Sequence, residues 1–176
     1  MKVRQAAAAS VILGVVILVL GCQSMERNGH KGPMDGEIAV EVLYAGDQCG
    51  AIQQGFQAVW LDRPDQLRQM AGHYGAAVRW DHVQWDPYTE GALWIRMGVR
   101  PSGGYGLELH DPVAPVRHGV ATVSVRWRKP DPDRFVIQVL TSPCLLLKLL
   151  RAGIEKVHIQ DQDGDLRARV YVSNTP

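Results

Sequence analysis

The chain has little that would mark it as an enzyme or a nucleic-acid binder. Its 19 Lys and Arg against 18 Asp and Glu leave a formal net charge of +1, whereas a nucleic-acid footprint needs a clustered basic excess. The six histidines, His30, His73, His82, His110, His118 and His158, show no H-x-x-x-H ligand spacing. No serine sits in a G-x-S-x-G turn. There is no internal repeat, and the apolar N-terminal run is shorter than the about 20 residues of a spanning helix. Cysteine is scarce, with only Cys22, Cys49 and Cys144. The sequence therefore nominates no catalytic residue, no cofactor and no nucleic-acid partner.

What is present begins with a targeting pattern. Lys2 and Arg4 precede an uncharged, mostly apolar stretch from Ala6 to Leu20, the order of a signal peptide. The ending Val19-Leu20-Gly21-Cys22 resembles the lipobox of bacterial prolipoproteins. That resemblance implies cleavage after Gly21 and lipid on Cys22. The alternative is an uncleaved anchor with an incidental cysteine. One acyl chain holds a protein to a bilayer only marginally, at ~0.8 kcal/mol per buried methylene, while two or three hold it firmly. Gln23, where an aspartate would signal inner-membrane retention, points to the outer membrane if the cell has one. Loss of Lys2 and Arg4 takes the formal charge from +1 to −1. The expected organisation is a signal peptide at 1–21, a tether at 22–36 and one domain at 37–176. The tether is polar, holds Gly29, Gly32, Pro33 and Gly36, and would span ~20 Å as a flexible coil.

With Cys22 acylated, Cys49 and Cys144 remain. An oxidising compartment allows them to pair, and so long a loop could contribute up to ~4.7 kcal/mol. Two separate buried thiols are the other possibility, because sequence does not show whether the two backbones approach.

Hydrophobic alternation predicts strands at 37–44, 56–62, 91–98, 104–110, 119–128 and 134–140. Between the second and third, Leu67, Met70, Ala71 and Tyr74 fall on one helical stripe. Asp62 is a candidate N-cap, Pro64 suits the first turn, and Gly75 is a candidate C-cap. Residues 76–90 read as loop, with Trp80 and Trp85 either core or interface. Pro143 to Leu150 reads as helix by composition and as strand by length. Residues 156–173 read as a hairpin around Asp163-Gly164. The expected fold is α+β: one domain, mainly an antiparallel sheet, with one principal helix packed on it.

Two local features could carry chemistry. Asp161, Asp163 and Asp165 around Gly164 could wrap calcium, as in the opening of an EF-hand loop. The glutamate of the twelfth position is missing, Val172 standing there, and the same residues suit a turn. The second feature is Arg100-Pro101-Ser102-Gly103-Gly104-Tyr105. Its glycines can solve a backbone problem in a hairpin loop, or the loop can meet a partner.

At this loop the sequence resembles a known family. Met97-Gly98-Val99-Arg100-Pro101-Ser102-Gly103-Gly104-Tyr105-Gly106-Leu107-Glu108-Leu109 resembles the G-x-R/K-P-[TS]-G-G-Y signature of the PrcB C-terminal domain family. Val120 to Trp127, Lys129-Pro130-Asp131-Pro132, Phe135 to Leu140 and Thr141-Ser142-Pro143 look similar to later elements of that family, giving a coverage of roughly 38–150. The resemblance implies a non-enzymatic lipoprotein that supports a surface protease complex, with 100–105 as its partner-binding loop. Residues 151–176, Cys49 and Cys144 depart from the family pattern. The leading expectation is thus an envelope lipoprotein, anchored by lipid, that binds or stabilises a protein partner. The alternatives are a peptidase inhibitor using the 100–105 loop, which distantly resembles the loop of chagasin-like inhibitors, and a calcium-binding envelope protein.

Overall fold

The computed structural model describes residues 34–50, 55–72, 80, 82–151 and 153–173. The chain divides into two units, residues 1–30 and 31–176, and every described residue lies in the second. The signal peptide, Cys22, most of the tether, His73, Tyr74, Gly75 and Asp81 fall outside the described residues. Structure is in place at Met34, which donates its N–H to Gly153 C=O and accepts from Gly119 N–H, both at 3.0 Å.

Among the described residues there are nine strands and one helix. They are β1 (Gly36–Gly46), β2 (Gln57–Leu61), α1 (Pro64–Gly72), β3 (Glu90–Arg96), β4 (Gly106–Leu109), β5 (Val113–Arg117), β6 (Val120–Arg128), β7 (Cys144–Leu150), β8 (Lys156–Gln160) and β9 (Leu166–Tyr171). Their order in the sheet is β2-β3-β7-β1-β5-β6-β8-β9, with β4 also on β6. The long β1 serves both halves: residues 36–39 pair with β5, and residues 40–46 pair with β7. All pairings are antiparallel except β6 with β8.

This corrects the expected fold class. The described part of the chain is mostly β, with about half of the described residues in strands, and its sheet nearly closes on itself like a barrel. The helix is only nine residues long and packs chiefly beside β2. It buries Leu67, but it does not cover a sheet face alone. Its start also differs from expectation. Gln66 Oε1 accepts the N–H groups of Asp62 and Arg63, half of a capping box. The Asp62 carboxylate instead accepts from Trp60 Nε1 and Ser173 Oγ and lies 3.6 Å from Arg151. Arg151 donates on to Ser173 C=O at 2.9 Å and to Pro87 C=O at 2.6 Å. This polar knot closes the gap between the ends of β2 and β9, where no ladder joins them.

Burial explains the apolar runs. Along β3 and β7, Leu93, Ile95, Leu145, Leu147 and Leu149 face the interior core with Val116, Val123, Val125 and Ile159. Ala92, Trp94, Cys144 and Leu146 face outward, under a second cluster of Leu61, Leu67, Trp80, Val83 and Trp85. Strands covered on both faces lose the polar half of the alternation, which is why Cys144–Leu150 reads as a continuous apolar run. Trp80 and Trp85 are therefore core. Lys148 is the polar interruption of β7. It reaches Glu41 at 2.9 Å on one neighbouring strand and Glu90 at 3.3 Å on the other. The bond to Glu41 raises its pKa above 10.5; desolvation opposes the rise and Glu90 adds to it.

The predicted strand at 134–140 is the other correction. Residues 135–140 belong to no strand. They form a strap across the surface between β6 and β7. Among the described residues no helix is long and apolar enough to cross a membrane.

Candidate functional site

The strap and the loop at 100–105 are built against each other. Arg100 N–H donates to Thr141 C=O at 2.8 Å, and Thr141 N–H returns a bond to Arg100 C=O at 3.0 Å. The buried Thr141 hydroxyl donates to Ser102 C=O at 2.9 Å. Gly103 N–H donates to Ile137 C=O at 2.9 Å. The two glycines make this approach possible. A Cβ on Gly103 would lie 2.9 Å from the Ile137 side chain. A Cβ on Gly104, whose φ is +86°, would lie 2.9 Å from Pro130 and 3.3 Å from Val136. At Gly103 the neighbour is the end of an exposed side chain that can shift, but at Gly104 the Pro130 ring and backbone stand in the way and the positive φ is costly for any other residue. The glycines thus seat the strap. Ser102 is buried at the turn, and Arg100 and Tyr105 are half-buried beside it.

The strap leaves apolar surface in water. Phe135 is fully exposed at 108%, Ile137 is 72% exposed and Leu140 67%, with Val139 beside them. Among the described residues, the backbone N–H groups of Phe135 to Leu140 have no partner. Phe-Val-Ile-Gln-Val-Leu is rich in β-formers and carries no charge, the composition of a segment that pairs with other chains when left open. Clustered exposed apolar residues of this kind mark interaction sites.

Beside the strap lies a cleft of about 540 Å³, lined by Phe56, Met97, Arg100, Tyr105, Trp127, Lys129 and Arg167. The Phe56 and Trp127 rings lie 5.2 Å apart. The Arg100 guanidinium lies 5.8 Å from the Tyr105 ring, and that of Arg167 lies 5.8 Å from Trp127. Sequence reasoning found Arg100 and Tyr105 through the family motif. It missed Phe56, Trp127, Lys129 and Arg167 as site residues. They come from separate elements, and no local spacing links them.

The other sequence candidates lie elsewhere. The Sγ atoms of Cys49 and Cys144 are bonded, with Cα atoms 5.9 Å apart, and both residues are buried on the outer face of β7. Asp161, Asp163 and Asp165 form the β8–β9 turn. Asp161 is wholly buried, and its carboxylate accepts the N–H groups of Asp163 and Asp165 at 3.0 and 2.9 Å and the guanidinium of Arg167. Burial pushes its pKa up, but Arg167 and the two backbone donors outweigh this and hold it below the usual 3.8. Its oxygens are already engaged, while Asp163 and Asp165 point into solvent. Among the described residues no three His, Cys, Asp or Glu side chains gather where they could hold a metal.

Comparison with known proteins bears out the family resemblance over part of the chain. The family described as PrcB C-terminal matches residues 92–149, from β3 to β7. That span contains the 100–105 loop and the strap, and it excludes β1, β2 and the β8–β9 hairpin. No curated protein and no solved structure gives a significant match.

Proposed function

We propose that this chain, PrcB C-terminal in sequence over residues 92–149, is a non-enzymatic envelope lipoprotein that docks a partner protein on its strap. In this reading the partner belongs to an exported protease complex, and acyl groups on Cys22 tie the protein to the outer membrane. The observation that carries the reading is the row of exposed apolar side chains from Phe135 to Leu140, seated on the loop that defines the family match. The buried disulfide is consistent with an oxidising compartment outside the cytoplasm.

A photo-crosslinking residue placed at Ile137 in the full chain tests the docking. The control position is Tyr171, which is equally exposed on β9. We expect a discrete adduct with one exported protein at position 137 and none at 171. No adduct at 137, or equal adducts at both, would remove the basis of the proposal. An alkyne-labelled fatty acid should be incorporated by the wild type and lost on Cys22→Ser.

One observation bears on the inhibitor alternative. Chagasin-like inhibitors are wholly β, and the short helix here does not set this chain far apart from them. The loop geometry does stand against it: residues 100–104 are pinned to Thr141 and backed by the strap, so they do not project as an inhibitory loop would. Assay against serine and cysteine peptidases decides between the two, with no inhibition expected.

A further inference from the structure

We infer that the cleft beside the strap is a carboxylate site, and that the segment docking there is an extended stretch of the partner polypeptide carrying an acidic side chain. The inference rests on the docking reading and adds the chemistry of what is docked.

Three cations and no anion line the cleft. Arg167 is neutralised by Asp161, but the other two are not. Lys129 forms no ion pair among the described residues. Arg100 donates Nη2 to Met97 C=O at 2.6 Å, while its buried Nε has no hydrogen-bond partner. That Nε is shut off from solvent, so the guanidinium acts on the cleft through its charge and not through a bond from Nε. Glu108, nearby on β4, pairs with Arg128 at 2.9 Å, and among the described residues no acid forms an ion pair with Arg100 or Lys129. The walls are the rings of Phe56, Tyr105 and Trp127. Low-dielectric walls strengthen the attraction for an opposite charge.

Cleft and strap form one continuous surface. Lys129 lines the cleft and the chain runs from Pro130 on to the strap, while Tyr105 lines the cleft and Gly104 lies against Pro130 and Val136. A polypeptide can use both parts. Its acidic side chain enters the cleft, and its backbone pairs with the open strap, as in strand addition at a sheet edge. A free phosphate or an acidic saccharide would leave the strap unused, which is why a peptide is the better occupant.

The test uses the purified chain and amidated nonapeptides of alternating Val and Thr, with Glu, Gln or Lys near one end. Binding is followed by amide chemical shifts. We expect the Glu peptide to shift residues 100–105, 129 and 135–140, and the Gln peptide to bind about tenfold or more weakly, the worth of one charge-assisted bond. Lys129→Glu should abolish binding of the Glu peptide and confer binding of the Lys peptide, an exchange that a merely misfolded variant cannot produce. Equal binding of Glu and Gln peptides, or shifts elsewhere, would overturn the inference. So would binding of oligouronate or inorganic phosphate in place of every peptide. If these results come with an intact adduct at position 137, the docking reading survives and only the carboxylate assignment fails.

Discussion

Single residues set two pH dependences. His158 sits on β8 opposite Arg169, with Thr122 as its neighbour on β6. Burial lowers its pKa below 6.5, and the charges of Arg169 and Lys156 lower it further. The folded chain therefore binds fewer protons at this site than the unfolded chain. Stability present above pH 6.5 is lost as the pH falls from there toward the lower folded value. Denaturant midpoints at pH 7.5 and 5.5 should differ in the wild type, and the difference should shrink in His158→Gln. Asp161 acts at lower pH. Its depressed pKa means that its contribution is present above 3.8 and lost as the pH drops through the folded value. Asp161→Asn should therefore lower the melting temperature at pH 7 and flatten the acid limb below pH 4, since the amide cannot pair with Arg167. An unchanged acid limb would show that the turn is held by its backbone bonds alone.

At the scale of elements, alternation shows which residues share a face, not whether a neighbour exists to pair with. The stretch 134–140 alternates as well as β6 does, yet β6 has partners on both edges and the strap has none. β5 escapes notice for the opposite reason. Pro112 and Pro115 break its pattern, although it lies between β1 and β6. The stripe of Leu67, Met70, Ala71 and Tyr74 does place Leu67 in the core, but its period carries no information about how little of the sheet the helix covers. The role of Gly103 and Gly104 in seating the strap can be measured. Gly104 and Gly164 both have positive φ, at +86° and +83°, but an added Cβ meets Pro130 at the first and nothing at the second. Each Gly→Ala change should cost about 1–3 kcal/mol in backbone strain. Gly104→Ala should cost more by urea denaturation, and the excess is the contact with the strap. Equal losses would mean that the strap gives way freely.

For the whole molecule, the two-sided burial of β3 and β7 was half legible, since unbroken apolar runs mark strands covered on both faces. Closure of the sheet was not legible, because it depends on Asp62, Arg151 and Ser173 meeting across 111 residues of chain. The cleft was hidden for the same reason, Phe56 and Arg167 standing at opposite ends of the domain sequence. The disulfide spans a separation of 95 residues, so it closes a loop over about two thirds of the unfolded domain. The double change Cys49→Ala with Cys144→Ala should lower stability by about 2–4 kcal/mol, read from the denaturant midpoint. Hydrogen exchange tests the central claim, that a partner covers the strap, most directly. In the free protein the amides of residues 135–140 have no hydrogen-bond partner among the described residues and should exchange fast. In the complex recovered from the envelope they should be protected together with residues 100–105, while those of β9 stay as they were. A bound partner that leaves the strap amides exchanging as fast as before would contradict the account.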